Sequence, residues 1–188
     1  MTHQPRPAPL TADAFIEWAM RQPSGRFELF RGEIVGKAPE RVGHVRVKKE
    51  LLKALDRALA GHPSGCEAFV DGMTVRIDDA TAYEPDALVR CGPKLPNDAV
   101  QLTDPVVVVE VVSPSSKGID AGAKLADYFR LASVRHYLVV HPEGRRVIHH
   151  ARSAKGGEIV TRVLGEEATL ALEPPGIEIA VSDLFATL

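Results

Sequence analysis

The pattern of apolar and polar positions predicts strands interleaved with two main helices. Apolar, mostly β-branched residues fill 105–112, which is typical of a strand buried on both faces. Apolar residues recur at a helical period over 40–60 and again over 118–132. Shorter segments bounded by turn residues predict a helix at 11–20 and strands at 27–30, 33–37, 66–70, 73–77, 136–140, 145–151 and 158–164. This order favours an α/β or α+β fold with a mixed central β-sheet flanked by helices.

The bulk composition is that of a soluble globular protein. The 188 residues, 45% of them hydrophobic and 26% charged, suit one domain over residues 1–188. The Pro-rich segment 1–10 is expected to be flexible. There is no apolar run long enough to span a bilayer and no apolar core of a signal peptide, so we expect a cytoplasmic protein with no membrane partner. Cys66 and Cys91 lack metal-ligand spacing and are expected to be reduced.

The valine-rich strand contains a carboxylate, Glu110. A buried carboxylate is costly unless a partner or a cation compensates its charge. Asp86 begins the preceding strand-like segment, and a hairpin that placed it opposite Glu110 would centre its turn on Asp98, within the turn formers of 93–98. Two clustered carboxylates form a site for a hard divalent cation. Alone, Asp86 could equally begin a strand or cap a turn.

A lysine follows on the next predicted helix. Lys124 stands in its early turns beside the apolar stripe, from which its ammonium could reach back toward Glu110. Such a lysine can orient the attacking water or stabilise developing negative charge on phosphate. Two structural alternatives remain open: a buried ion pair between Lys124 and Glu110, and a surface pair with Asp120 at i, i+4.

The combined motif resembles that of the Uma2 family (DUF820), restriction-endonuclease-like proteins of the PD-(D/E)XK nuclease superfamily. The resemblance covers most of the chain, from 27–35 through His44 to 184–185. Its motif residues are Pro85-Asp86, Glu110 and the following Val-Val-Ser-Pro-Ser-Ser, Asp120, Lys124 and Tyr128.

The resemblance implies a metal-dependent DNA endonuclease with a restriction-endonuclease-like core. Asp86, Glu110 and the backbone carbonyl of Val111 would hold Mg²⁺, or Mn²⁺ in its place, and Lys124 would be the catalytic lysine. Relatives in the superfamily usually carry that lysine two residues after the glutamate, where this chain has Val112. In the Uma2-like pattern the following helix supplies it.

Two further motif positions and the assembly state follow from the same resemblance. Glu33 and His44 would border the site, where Glu33 could reach the cation and His44 could contact phosphate. Either residue could also be peripheral or structural. A homodimer is plausible because cutting both strands of a duplex needs two sites.

The net charge of −2 does not by itself indicate nucleic-acid binding. Four basic side chains nevertheless follow one face of the long predicted helix and could track a phosphate backbone. The alternative is an ordinary solvated helix face. These side chains are Arg46, Lys49, Lys53 and Arg57.

Two other functions remain open. One is a non-catalytic nucleic-acid-binding or regulatory module that retains a nuclease fold. The other is a nuclease that acts on RNA or branched DNA, since the metal core of such enzymes is shared and loops select the substrate.

Overall fold

The computed structural model describes residues 9–63, 65–112 and 121–188. The helices are α1 (Ala12–Met20), α2 (Val42–Leu59) and α3 (Ala121–Tyr128), with a 3₁₀ helix at Val181–Phe185. The strands are β1 (Phe27–Phe30), β2 (Glu33–Gly36), β3 (Cys66–Val70), β4 (Thr74–Asp78), β5 (Thr81–Tyr83), β6 (Ala87–Cys91), β7 (Gln101–Leu102), β8 (Pro105–Val111), β9 (His136–His141), β10 (Arg146–Arg152), β11 (Ile159–Gly165), β12 (Thr169–Leu172) and β13 (Ile177–Ala180). Two predictions concern residues outside these ranges: the flexibility of residues 1–10, of which 1–8 lie outside, and a pair between Asp120 and Lys124.

The larger sheet confirms the predicted mixed architecture. Its strand order is β11-β10-β9-β8-β6-β3, with β8 and β9 parallel and the other neighbours antiparallel. Helix α2 packs one apolar face against this sheet and buries Val47, Leu51 and Leu55 there. The fold class predicted from the sequence, an α+β core with a mixed sheet flanked by helices, is therefore correct.

The strands β6 and β8 pair in the register predicted from the sequence. Ala87 lies opposite Val109 and Leu88 opposite Val108. The same register places Asp86, one residue before β6, beside Glu110 on β8. Both carboxylates therefore project from neighbouring strands at one end of the sheet.

The connection between β6 and β8 is longer than a simple hairpin. A turn lies at the predicted position, where the amide of Ala99 donates to the carbonyl of Pro96 at 3.1 Å. The chain then forms β7, which pairs in parallel with β4. That strand belongs to a second sheet, of order β2-β1-β5-β4-β7. The second sheet brings the β1–β2 hairpin next to the two carboxylates.

The valines of β8 fill two cores, as expected for a strand buried on both faces. Val107, Val109 and Val111 belong to the core under α2, and Val108 belongs to the core that contains Tyr128. Strand alternation places Glu110 on the same face as Val108. The carboxylate therefore points toward α3 and its aromatic surroundings.

The prediction that both cysteines are reduced is wrong for this structure. Cys66 on β3 lies directly opposite Cys91 on β6, with a Cα–Cα distance of 3.9 Å, and the two form a disulfide. A spacing of 25 residues gives no sign of this proximity, because it depends on the pairing of two strands from separate parts of the chain.

Among the described residues, no helix has the length and apolar character needed to cross a membrane.

Candidate active site

Asp86 lies at the centre of a group of hydrogen-bond donors and cationic side chains. Only 3% of the residue is exposed. Its Oδ2 accepts a hydrogen bond from the amide of Val111 at 2.7 Å and lies 3.3 Å from Nε2 of His44. The ammonium groups of Lys37 and Lys48 each lie 3.7 Å from Oδ1. Burial alone would raise the pKa of Asp86, but these contacts hold it well below its usual range, so the carboxylate is ionised at neutral pH.

Glu110 shares a buried ammonium with a second glutamate. Nζ of Lys124 lies 2.7 Å from Oε1 of Glu110 and 2.8 Å from Oε1 of Glu28. All three side chains are buried, with 7% of Glu110, 7% of Lys124 and 4% of Glu28 exposed. The single ammonium thus faces two carboxylates, and this cluster carries net negative charge.

Electrostatics keep the ammonium protonated. Burial lowers the pKa of Lys124, but the charges of Glu110 and Glu28 outweigh it and raise that pKa above its ordinary value. Burial raises the pKa of Glu110, and the negative charges of Glu28 and Asp86 add to the effect, whereas Lys124 opposes it. A positive charge placed near Glu110 would therefore relieve an unfavourable concentration of negative charge.

Aromatic rings enclose this ion pair on the α3 side. The hydroxyl of Tyr128 donates to Oε1 of Glu110 at 3.0 Å. The ring of Tyr83 lies 5.2 Å from Nζ of Lys124, and its hydroxyl donates to Asp127 at 2.6 Å. These rings lower the local polarity, so charges inside the site interact more strongly than they would in water.

A network of ion pairs surrounds the more open side of Asp86. Arg26 contacts the carboxylates of Glu40, Asp71 and Glu84. Lys48 bridges two of them, at 2.6 Å from Glu40 and 2.8 Å from Asp71. The network fixes the beginning of α2 against the segment that leads into β6.

The donor set fits a divalent cation. Asp86 and Glu110 offer carboxylate oxygens from adjacent strands, and the backbone of Val111 is tied to Asp86 through its amide. Oxygen donors of this kind suit Mg²⁺ or Mn²⁺. A second group, formed by Glu40, His44 and Asp86, offers ligand atoms within 4.8 Å of one another. Asp86 belongs to both groups.

Of the two residues predicted to border the site, one contacts Asp86 and the other lies exposed at the turn of a hairpin. His44 contacts Asp86, whereas Glu33 is exposed on β2, opposite Phe30 at the end of the hairpin. The structure places Glu28 of β1 beside the lysine instead.

The basic stripe predicted on α2 lies on the solvent side of the helix. Lys53 pairs with Glu50 at 2.9 Å, and Arg57 pairs with Asp183 at 3.0 Å. Arg46 and Lys49 lie nearer to the end of the helix that carries His44.

Glu28 is the site residue that sequence reasoning missed. The sequence pattern of its segment, Phe27–Phe30, predicts only a strand of a hairpin. The signal was nevertheless present: Glu28 is flanked by Phe27 and Leu29, as Glu110 is flanked by valines. A carboxylate inside an apolar strand indicates a partner in both cases.

Comparison with known proteins identifies the family to which the chain belongs. The chain belongs to the Uma2 family, described as "Putative restriction endonuclease", whose family model matches residues 12–182. This confirms the resemblance identified from the motif.

A solved structure and two curated proteins are each similar to this protein over most of both chains. The structure is similar to that of "a putative nuclease belonging to DUF820 from Anabaena variabilis", with a TM-score of 0.72, 18% identity and coverage of 95% of this chain and 98% of the other. That likeness concerns the fold. The uncharacterized protein sll1609 of Synechocystis sp. is 27% identical over 164 residues, covering 86% of this chain and 91% of the relative. The uncharacterized protein slr1290 of the same organism is 25% identical over 180 residues, covering 95% and 93%.

Proposed function

We propose that this protein is a DNA endonuclease that depends on a divalent cation and hydrolyses phosphodiester bonds. One observation carries the proposal. Asp86 and Glu110, both buried, come from adjacent strands at one end of the sheet, and the ammonium of Lys124 is held within 2.7 Å of Glu110. Family membership supports the same reaction class.

The ion would be Mg²⁺, or Mn²⁺ in vitro, held by Asp86, Glu110 and the carbonyl of Val111. When bound, it supplies positive charge that polarises the phosphate and makes a water molecule more acidic. Asp86 is suited to hold it because its carboxylate is ionised and fixed by the amide of Val111.

Besides the cation, Lys124 would supply positive charge to the reacting phosphate. Its protonated amine can donate hydrogen bonds to the attacking water and to a non-bridging phosphate oxygen, which gains negative charge as the phosphorus–oxygen bond forms. The water oxygen bonds to phosphorus in line with the leaving oxygen and loses its proton to solvent, while the opposite phosphorus–oxygen bond breaks and the leaving oxygen takes up a proton from solvent. The aromatic walls formed by Tyr83 and Tyr128 strengthen this interaction by excluding water.

Basic side chains around the site suit a polyanionic substrate. Lys37 and His44 lie beside Asp86, and Arg46 and Lys49 are exposed further along α2. We assign DNA as the substrate and a homodimer as the form that cuts both strands. RNA and branched DNA are the alternative substrates to be run in parallel.

One observation favours a second candidate, a non-catalytic binding module. Asp86 and Glu110 already have cationic partners within the protein, Lys37 and Lys48 for Asp86 and Lys124 for Glu110. A degenerate module of this kind would bind nucleic acid but would bind Mn²⁺ poorly.

The deciding experiment is cleavage of supercoiled plasmid with Mg²⁺ or Mn²⁺, with the wild type beside Glu110→Gln and Glu110→Ala. Nicking or linearisation by the wild type alone supports the proposed function and its carboxylate. Equal cleavage by all three proteins contradicts the site. If plasmid, RNA and branched DNA all remain intact and calorimetry detects no Mn²⁺ binding, the binding module replaces the nuclease as the better description.

A further inference from the structure

Glu28 takes no part in the chemical steps of the proposed reaction, although it contacts Lys124 directly. Its Oε1 lies 2.8 Å from Nζ of Lys124, which is almost the same as the 2.7 Å between Nζ and Oε1 of Glu110. The ammonium is therefore shared between a proposed cation ligand and a carboxylate from the other sheet.

We propose that Glu28 is a positioning residue: it retains the ammonium of Lys124 when a divalent cation binds Glu110, and so prevents the lysine from competing with the cation. This inference rests on the proposed function, because it assumes that Glu110 is a cation ligand.

Charge repulsion requires such a partner. A divalent cation at the carboxylate of Glu110 would lie close to the Lys124 ammonium, and like charges at this separation repel strongly in a buried site. Lys124 is buried, so its ammonium needs another carboxylate partner when the cation takes Glu110. Among the described residues, Glu28 and Glu110 are the carboxylates that contact Nζ of Lys124, so Glu28 remains when the cation takes Glu110.

The backbone fixes Glu28 in this position. Strand β1 pairs with β2 on one side and with β5 on the other, and the amide of Glu84 donates to Oε1 of Glu28 at 3.1 Å. Only Pro85 separates Glu84 from Asp86. The carboxylate that holds the lysine is thus anchored to the short segment that presents the other proposed cation ligand.

A double-mutant comparison of Mn²⁺ affinity by calorimetry tests the inference without any activity assay. In Glu28→Gln the lysine keeps only Glu110, so Mn²⁺ affinity should fall about tenfold or more. Adding Lys124→Met to Glu28→Gln should restore most of that loss, because the competing ammonium is gone. In contrast, a Glu28 carboxylate that itself bound the ion would give a loss that Lys124→Met does not restore.

Glu50→Gln is the matched control. Glu50 is another buried glutamate paired with a lysine, Lys53 at 2.9 Å, but it lies on α2 with no part in this cluster. Its substitution should leave Mn²⁺ affinity unchanged. Glu28→Asp, which withdraws the carboxylate by one methylene, should give a smaller loss in the same direction and replaces the glutamine variant should that one fail to fold.

The outcomes separate the two proposals. Wild-type protein that does not bind Mn²⁺, or that binds it equally well after Glu110→Gln, overturns the proposed function and this inference together. Binding that depends on Glu110 but is unaffected by Glu28→Gln and Glu28→Asp overturns only the role of Glu28. Loss with rescue by Lys124→Met supports both.

Discussion

The backbone amide of Val111 donates a 2.7 Å hydrogen bond to the side chain of Asp86. One proposed cation ligand is therefore held by the main chain of the strand that carries the other, Glu110. Side chains fixed by backbone groups lose little freedom when a ligand binds, so this hydrogen bond preorganises the site.

Replacing Asp86 by asparagine should abolish cation binding with little change in side-chain volume. The amide lacks the negative charge that attracts the ion, and we expect Mn²⁺ affinity to fall about 100-fold or more, with loss of plasmid cleavage. Titration calorimetry measures the first effect. Asp104→Asn is the matched control, because Asp104 pairs with Arg90 near the other end of β6. Similar affinities in the two variants would contradict the assignment of Asp86.

Tyr128→Phe should destabilise the fold more than Tyr83→Phe. The hydroxyl of Tyr128 bonds the buried Glu110, and its removal should lower the free energy of unfolding by about 1–2 kcal/mol. Tyr83 bonds Asp127, a more exposed carboxylate that water can solvate in its place. Urea denaturation of both variants measures the difference, and a larger decrease for Tyr83→Phe would contradict this account.

A buried histidine pair should make stability fall on acidification. Nδ1 of His136 lies 2.9 Å from Nε2 of His149, and burial lowers the pKa of each to about 4 from 6.5. Above pH 6.5 both histidines are neutral in the folded and unfolded chain, and the pair has no effect on the pH dependence. Between pH 6.5 and 4 the unfolded chain binds protons that the folded chain does not, so each histidine should lower the free energy of unfolding by on the order of 3 kcal/mol.

Urea denaturation at several pH values measures this slope. The double variant His136→Gln/His149→Gln removes both titrating groups, and its stability should change less over the same interval. An equally steep fall in the double variant would assign the acid sensitivity to other groups.

The first half of the α2 basic stripe should contribute to DNA affinity. Arg46 and Lys49 are exposed in the part of the helix that precedes Glu50, whereas Arg57 pairs with Asp183 near the other end of the helix. Removing one side chain that binds a phosphate should lower the slope of log affinity against log salt by about 0.9. Fluorescence anisotropy with a labelled duplex should therefore detect a shallower slope for Arg46→Gln/Lys49→Gln and no change for Arg57→Gln. Equal slopes for all proteins would mean that DNA does not lie along this helix.

The hydrophobic pattern predicts much of the fold because burial imposes it directly. The valine run requires a strand buried on both faces, and the positions of Asp86, Asp98 and Glu110 are enough to predict the register of β6 and β8. The route between those strands is not predictable, because β7 is only two residues long and its partner belongs to the other sheet.

The site is predictable only in part, for a related reason. Glu110 and Lys124 lie in strongly patterned elements, so their proximity can be inferred. Glu28 lies in a four-residue strand, and its hydrogen bond with Lys124 joins positions 96 residues apart. The apolar neighbours of Glu28 indicate that it is buried but do not predict that its partner is Lys124.

The order of the site residues along the chain has a consequence for synthesis. All three carboxylates, Glu28, Asp86 and Glu110, are made before Lys124. A nascent chain that ends near Val112 carries these negative charges without the ammonium that Glu28 and Glu110 share, so the two glutamates gain their common partner only once α3 has docked. Contacts between such distant positions form late in folding. A partly synthesised molecule that lacks α3 therefore has the proposed cation ligands but no assembled centre.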